Sequence, residues 1–228
     1  MHRTTRAAGR RRPGLLLATA ALLAVTATAC GNGGDGDGAE PTGVADVHTT
    51  TDSTSGTVLD RPFTKPDLVL TDHTGERFDL REETKGHPTL IYFGYTHCPD
   101  VCPLTMSNLA LAKKQLPPAD QKKLRVVFIT SDPERDTPAS LRAWLRGQDP
   151  DFIGLTGDFD TIAAAARSLG VSLEPPEVDE DGDVVSSHGT QVLAFSPKDD
   201  RAHVVYSKDV SAETYARDLP TLIRGEIP

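Results

Sequence analysis

The segment FGYTHCPDVCP, residues 93–103, constrains the fold and chemistry of this chain more than any other. Two of the three cysteines, Cys98 and Cys102, lie four positions apart in it, directly after an apolar run and before a segment with helical spacing. A thiol pair in this position either holds a soft metal ion or opens and closes as a disulfide. Both uses need thiolates, which the N-terminus of a helix favours through its dipole and free N–H groups. The segment therefore predicts a metal or redox site where a strand meets a helix.

The first 29 residues have the pattern of a secretory signal. Residues 1–13 contain five arginines and no acidic residue, and residues 15–29 form an apolar run of mostly small side chains. This run is too short to cross a bilayer core, which takes about 20 residues, so residues 1–29 are predicted to be a signal peptide. The run ends in ATAC, which is similar to a lipobox, and Cys30 is therefore the predicted lipidation site. The alternative is an ordinary cleavage site beside an unmodified cysteine, and the export route, general or twin-arginine, stays open.

Composition changes after the signal. Residues 30–60 are rich in Gly, Asp and Thr and have no periodicity, which predicts a flexible tether ahead of a folded domain of residues 61–228. Five of the 24 basic residues and none of the 33 acidic residues precede Cys30, which leaves a formal charge of −14 from Cys30 onward. A chain this acidic is a poor partner for nucleic acid, whose phosphates require Lys/Arg clusters. An anionic membrane surface also repels it, so membrane attachment is expected through the lipid.

The order of the predicted elements indicates an α/β domain. The expected elements are a β-hairpin within 68–80, strand 89–93, helix 104–116, strand 124–130, helix 137–146, strand 152–155, helix 158–169, hairpin 191–206 and helix 211–225. Thr137 is the expected N-cap of its helix, and Leu104 and Leu111 are expected to share one helical face. Strands that alternate with helices and end in an antiparallel hairpin fit a thioredoxin-like fold around a mixed sheet, with an added N-terminal β-hairpin.

The cysteine pair leaves three interpretations open: a metal site with or without redox activity, a catalytic dithiol, or two small buried thiols. A Cys98–Cys102 disulfide would close a loop of only a few residues, so its contribution to stability would be small. Stability alone is therefore a poor reason for the pair. Metal binding is the preferred interpretation because two thiolates favour a soft ion such as Cu(I).

A metal held by two thiolates needs a further ligand, and histidine is expected because the acidic side chains suit harder ions. His2 leaves with the signal, His48 lies in the tether, and His73, His87 and His203 are placed in a turn, before a strand and in the last hairpin. The side chain of His97 points away from that of Cys98 in an extended segment and is expected at the rim of the site. His188 precedes the strand expected beside the cysteine loop and is the remaining candidate. The residues alone do not establish that it is the third ligand.

Three parts of the chain resemble the Sco (SenC) family of copper proteins. They are the segment at 93–103, the segment SDPERDTP at 131–138, and His188, and the resemblance covers roughly residues 61–228. The two segments together are highly specific. The resemblance implies a thioredoxin-like domain in which Cys98, Cys102 and His188 bind one copper ion, as Cu(I) or Cu(II). A Cys98–Cys102 disulfide would abolish this binding, because the ligands must be thiolates.

The same resemblance implies a copper chaperone rather than an enzyme. In this family copper goes to the dinuclear site of cytochrome c oxidase, or the thiols keep the cysteines of that site reduced. The expected partner is therefore the oxidase subunit that carries this site, or another copper chaperone. The expected location is the outer face of the cell membrane, where the lipid on Cys30 anchors the protein.

Two further points stay open at the level of sequence. Asp132 occupies the position of the acidic residue that lies near the copper site in the family, where it would orient or charge-balance a ligand; the alternative is a cap of the turn before Pro133.

The alternative function is an exported thiol–disulfide oxidoreductase or thiol peroxidase that uses the same cysteine pair. Against it, three residues rather than two separate the cysteines, and no proline stands between residues 184 and 195.

Overall fold

A computed structural model describes residues 55–178, 184–185 and 188–228. The predicted signal peptide, the predicted lipidation site Cys30 and most of the predicted tether lie outside these residues. Among the helices of the described part, none combines the length and the apolar character needed to cross a bilayer.

Ten strands and six helices are present in the described residues. In chain order they are β1 (Thr57–Thr64), β2 (Val69–Asp72), β3 (Arg77–Asp79), α1 (Leu80–Glu83), β4 (Thr89–Gly94), α2 (Val101–Lys114), α3 (Pro118–Gln121), β5 (Arg125–Thr130), α4 (Pro138–Arg146), β6 (Ile153–Thr156), α5 (Phe159–Ser168), β7 (Glu177–Val178), β8 (Val184–Val185), β9 (Val192–Phe195), β10 (Arg201–Tyr206) and α6 (Ala212–Ile223).

Eight strands form one mixed sheet in the order β1-β10-β9-β4-β5-β6-β2-β3, and β7 pairs with β8 in a separate two-stranded sheet. The central strands β4, β5 and β6 run parallel, as their continuous apolar sequences indicate for strands covered on both faces. Strands β9 and β10 form an antiparallel hairpin, and β9 pairs antiparallel with β4. The sheet therefore confirms the predicted α/β class and the predicted order of its elements.

Each face of the sheet has its own hydrophobic core, because successive side chains of a strand point to opposite faces. In β4, Leu90 and Tyr92 join the cluster formed with α2, α4 and α6, whereas Ile91 and Phe93 join the cluster formed with α5. All four side chains are at most 2% exposed. Complete burial of a side chain of this size contributes about 1.5–3 kcal/mol, so β4 is held firmly from both sides.

The predicted hairpin is present as β2 and β3, with Leu70 opposite Phe78. It joins the sheet at the edge next to β6. The opposite edge is β1, which the sequence analysis placed partly in the tether: β1 begins at Thr57 and pairs with β10, four residues before the expected domain start at Arg61. Its polar and half-exposed side chains hide the strand from pattern analysis, since an edge strand needs little apolar surface.

Helix α2 begins earlier than expected, at Val101 instead of Leu104, and Asp100 caps it by accepting a hydrogen bond from the Val101 N–H. The predicted apolar face is also wrong, because Leu104 and Leu111 are more than half exposed. The buried face instead carries Cys102, Thr105, Met106, Leu109, Ala110, Ala112 and Lys113. Thr137 is the N-cap of α4, as predicted.

The parallel pairing of β4 and β5 places the two motif segments together. Gly94 at the end of β4 is opposite Thr130 at the end of β5, and the N–H of Ser131 donates to the Gly94 carbonyl at 2.7 Å. The cysteine segment follows β4 and residues 131–138 follow β5. Both segments therefore leave the sheet at the same edge, where the carboxyl ends of parallel strands commonly form sites.

A buried ion pair holds the far end of α2. The Nζ of Lys113 lies 3.0 Å from Oδ1 of Asp149 and 2.9 Å from Oδ2 of Asp151. The side chains of Lys113 and Asp149 are 2% and 8% exposed, whereas that of Asp151 is 75% exposed. Lys113 and Asp149 therefore depend on each other, while Asp151 is also solvated by water.

We expect Lys113→Ala to lower the free energy of unfolding by about 3 kcal/mol, because it leaves the Asp149 carboxylate buried without a cation. The control is Asp151→Asn, which removes the exposed partner and should cost less than about 1 kcal/mol. Urea denaturation followed by circular dichroism measures both. Equal losses in the two variants would contradict this account of the ion pair.

Candidate metal centre

The two cysteines lie on either side of the start of α2. Cys98 belongs to the loop after β4 and is partly exposed, whereas Cys102 is the second residue of α2 and is completely buried. The backbone N–H of Cys98 donates to the Tyr95 carbonyl at 3.2 Å. The N–H of Cys102 in turn points at the sulfur of Cys98, at 3.4 Å. The loop thus curls back so that both sulfurs face the N-terminus of a 14-residue helix.

His188 reaches these sulfurs from a point 86 residues later in the chain. Its Nε2 lies 3.3 Å from the Sγ of Cys102, and the candidate ligand atoms of Cys98, Cys102 and His188 all lie within 4.8 Å of one another. Backbone contacts fix this position: His188 forms a bridge with Leu173, and the Gly189 N–H donates to the Ser172 carbonyl at 3.0 Å. The structure therefore brings together the three residues that the sequence analysis proposed as ligands.

The ring of His188 is oriented by its other nitrogen and by two tyrosines. Its Nδ1 donates to the carbonyl of Gly189 at 2.9 Å. The rings of Tyr92 and Tyr95 meet the imidazole edge-on, with centroids 6.0 and 5.6 Å away. With the proton on Nδ1, Nε2 presents a lone pair to the sulfurs, which is the form of neutral histidine that ligates metals.

A glycine provides the space for the buried sulfur. A Cβ atom on Gly94 would lie 2.8 Å from the Sγ of Cys102 and 2.9 Å from the ring of Tyr92. Real Cβ atoms do not approach other heavy atoms so closely, and neither neighbour is the free end of a flexible chain. The last residue of β4 must therefore be glycine for Cys102 to lie where it does.

The two thiols have opposite acidities. The pKa of Cys98 is lowered to about 4, mainly by the hydrogen bond from the Cys102 thiol and with help from backbone N–H groups. The pKa of Cys102 is raised, because its proton is held by Cys98 and because burial penalises a second thiolate. Between them the reduced, metal-free pair keeps one proton near neutral pH, with the thiolate on Cys98. Tyr92, whose hydroxyl donates to Cys102 at 3.5 Å, has a raised pKa because it is buried.

The partners observed for Asp132 among the described residues do not include either cysteine. Its buried carboxylate forms an ion pair with the partly exposed guanidinium of Arg135, and that guanidinium lies 5.9 Å from the ring centroid of Tyr95. Tyr95 packs against His188. Asp132 is thus connected to His188 through two intervening side chains, and its backbone carbonyl closes the turn by accepting from the Asp136 N–H at 2.9 Å. The orienting role predicted for Asp132 stays a prediction.

Asp136 is a residue of the site that the sequence analysis missed. Its carboxylate is completely buried and accepts from the backbone N–H of Thr96 at 2.9 Å, from the Thr96 hydroxyl at 2.5 Å and from the Thr130 hydroxyl at 2.7 Å. These contacts bind the cysteine loop to the end of β5. The only signal in the sequence is a pair of threonines at the two strand ends, and no spacing rule joins them to an acid.

The other described histidines lie elsewhere, as expected. His73 accepts from the Gly154 N–H at 3.1 Å, His87 pairs with the Lys123 carbonyl at 3.0 Å, and His203 lies 2.9 Å from a carboxylate oxygen of Asp199. His97 is at the rim of the site, with its side chain 53% exposed. Within the described residues, Cys98, Cys102 and His188 are the only group of three or more Cys, His, Asp or Glu residues positioned to hold a metal.

Comparison with known proteins identifies a family. The model of the SCO1/SenC family matches residues 56–224, which is most of the chain. A protein of Stutzerimonas stutzeri whose name refers to copper binding is 32% identical over 170 residues, 74% of this chain and 81% of that protein. The mitochondrial SCO2 homologue of Bos taurus is 37% identical over 153 residues, 64% of this chain but only 55% of that protein.

The fold agrees with a solved member of the same group. The structure of ScoI from Bradyrhizobium japonicum with copper bound superposes with a TM-score of 0.60 at 34% identity, and covers 71% of this chain and 98% of that one. The likeness to Sco proteins confirms the predicted thioredoxin-like fold. The chain spans only about half the length of the mitochondrial relative from Bos taurus.

The acidity of Cys98 is open to direct measurement. In the reduced, metal-free protein we expect the rate of alkylation of Cys98 by iodoacetamide to reach half its maximum near its pKa of about 4. Only the thiolate reacts, so the rate is retained above this pH and lost below it. Peptide mass spectrometry distinguishes Cys98 from the other cysteines. In the control Cys102→Ala the largest cause of the low pKa is gone, and the midpoint should move up; an unchanged midpoint would contradict the assignment.

The role of Asp136 predicts a loss of stability. Because all three partners of its carboxylate are donors, Asp136→Asn sets an amide NH2 group against a buried N–H or hydroxyl, at a cost of about 1–3 kcal/mol. Urea denaturation measures the loss. The matched control is Asp158→Asn at the N-cap of α5, where an asparagine oxygen accepts the Thr161 N–H equally well and stability should hardly change. If the two variants are equally stable, Asp136 does not hold the loop.

Proposed function

This chain belongs to the SCO1/SenC family, and on that premise we propose that it is an extracytoplasmic copper metallochaperone. It binds one copper ion through Cys98, Cys102 and His188 and supports assembly of the dinuclear copper site of cytochrome c oxidase. Its partner is the oxidase subunit that carries this site, or another copper chaperone that supplies the ion. Copper is thus the cargo of the protein and not a resident cofactor.

The observation that carries the proposal is the convergence of two sulfurs and one imidazole within 4.8 Å. Two thiolates select soft ions and favour Cu(I), while the imidazole also suits Cu(II). The donor set therefore fits copper. The orientation of His188, with Nδ1 donating to a carbonyl and Nε2 facing the sulfurs, prepares the third ligand before the ion arrives.

The site also has the features that delivery needs. Cys98 is partly exposed and Cys102 buried, so a partner can reach the ion from one side only. Both thiols must lose their protons to bind copper, and Cys98 is already a thiolate near neutral pH. Oxidation of the pair to a disulfide would remove both sulfur ligands and so switch binding off.

We place the protein at the outer face of the cell membrane, anchored as a lipoprotein by an acylated Cys30. The support comes from the sequence: a basic and apolar signal, a lipobox-like end and a Gly-rich tether. More than one acyl chain holds a protein firmly at a bilayer, and the tether lets the copper domain reach a membrane-bound oxidase.

The acidity of Cys98 also favours a second candidate, an exported thiol–disulfide oxidoreductase or thiol peroxidase. A partly exposed cysteine with a pKa near 4, followed by a buried thiol four residues later, is suited to attack and then resolve a mixed disulfide. Reduction of a substrate disulfide would leave Cys98 and Cys102 oxidised to one disulfide. This function requires both cysteines but not His188.

One copper titration distinguishes the two functions. Copper(II) added to the reduced protein should bind at one ion per chain and give an intense sulfur-to-copper absorption band. Cys98→Ser, Cys102→Ser and His188→Ala should each lose the band, because each removes a ligand. His203→Ala is the control, since His203 pairs with Asp199 outside the site.

Two outcomes would oppose the proposal. Unchanged copper affinity in His188→Ala would show that the ligand assignment is wrong. Turnover of a model disulfide or peroxide by metal-free His188→Ala at the rate of the unaltered protein would favour the oxidoreductase function instead.

A further inference from the structure

His97 is a titratable side chain that the three-ligand site does not use. It directly precedes Cys98, and its side chain is 53% exposed at the rim of the site. Its Nδ1 lies 3.2 Å from the hydroxyl oxygen of Thr96 and 3.8 Å from a carboxylate oxygen of Asp136. His97 is therefore the imidazole nearest in sequence to the partly exposed sulfur, and its Nδ1 lies beside the Thr96 hydroxyl and the Asp136 carboxylate that fix the cysteine loop.

The hydrogen bonds assign the tautomer of His97. The Thr96 hydroxyl has one proton, which it donates to Asp136 at 2.5 Å. Towards His97 the same oxygen can only accept, so Nδ1 of the neutral imidazole carries the ring proton. Nε2 consequently has the lone pair.

The exposed nitrogen is free to bind a metal. Among the described residues, the hydrogen bond and the ionic contact of the His97 ring both involve Nδ1. The arrangement repeats that of His188, in which Nδ1 donates to an oxygen and Nε2 is presented as a ligand. A histidine whose second nitrogen is fixed in this way is the usual form of a metal-ligating histidine.

Transfer of copper out of the three-ligand site would require an additional donor atom near Cys98. Cys102 is completely buried, whereas Cys98 and His188 are both partly exposed, so a partner approaches the ion from the side that these two residues share. An ion that leaves in this direction must give up the buried sulfur of Cys102 and would be left on one sulfur and one nitrogen. The lone pair of His97 is the adjacent donor that can replace a lost ligand.

We propose that His97 is a transfer ligand, which binds copper through Nε2 together with Cys98 while the ion enters and leaves the site. This inference rests on the proposed chaperone function. The step is a ligand exchange: the bond from Nε2 of His97 to Cu(I) forms as the bond from Sγ of Cys102 to Cu(I) breaks. No electron is transferred, and the ion stays Cu(I). In the resting site His97 is not a ligand, because it lies outside the group of three.

Rates test this proposal better than affinities. Full-length reduced protein takes Cu(I) from its complex with bathocuproine disulfonate, and stopped-flow absorbance measures the rate of loading. Excess chelator is then added to the loaded protein, and absorbance measures the rate of release. His97→Gln keeps the size of the side chain and a hydrogen-bonding group for Thr96 but has no soft donor. His97→Met has similar length and no such hydrogen bond, but its thioether ligates Cu(I).

We expect His97→Gln to slow both loading and release about tenfold, because a ligand used only between the end states stabilises the barrier and not the end states. The equilibrium affinity for Cu(I) should stay unchanged. His97→Met should restore both rates, and His203→Ala should behave as the unaltered protein. A role limited to holding the loop predicts the opposite ranking, with Gln tolerated and Met impaired.

Three results would overturn the inference: unaltered rates in His97→Gln, equally slow rates in the Met and Gln variants, or an equilibrium affinity that falls by the same factor as the loading rate. The last result would make His97 a resident ligand. Failure of the unaltered protein to bind Cu(I) would instead overturn the chaperone function itself, and the inference with it.

Discussion

The contact between the sulfur of Cys102 and the imidazole of His188 is the interaction on which the rest of the site depends. It joins the first turn of α2 to a segment 86 residues later. The sheet makes it possible: β4 lies between β5 and β9, so the loop that leaves β4 and the segment that enters β9 meet at one edge. Gly94 then admits the sulfur, and the Gly189 carbonyl turns the ring towards it. Loss of any of these conditions would separate two ligands that no local sequence connects.

Much of the fold was predictable because its strongest signals are local. The buried parallel strand β5 is a continuous β-branched run, and α4 begins at an N-cap threonine followed by a proline, so both were located from sequence. The predictions for β1 and for the buried face of α2 failed for one reason. Strand β1 and the buried face of α2 are set by tertiary contacts: pairing with β10 orders a polar edge strand, and the requirement to bury Cys102 rotates α2 so that Leu104 and Leu111 face solvent.

The site, like the fold, has residues that local sequence identifies and residues that it does not. The cysteine pair is contiguous and could be recognised from its spacing, whereas His188 needed the family resemblance, because six other histidines offered the same chemistry. Asp136 could not be identified from sequence because its function lies in three hydrogen bonds to residues 96 and 130. Asp132, the acid that the resemblance indicated, pairs with Arg135, and its predicted role near the copper site stays a prediction.

The shared proton of Cys98 and Cys102 links metal loading to redox state. In the reduced, empty site one proton remains, held on the buried sulfur by its hydrogen bond to Cys98 and by burial. In the proposed site copper displaces that proton, because both sulfurs have to be thiolates to bind it. A disulfide would form from the same two sulfurs. Copper and oxidation therefore compete for one pair of atoms, and each protects the site from the other. As a proposed ligand, His188 favours copper over oxidation, since it would add a bond to the metal and contributes nothing to a disulfide.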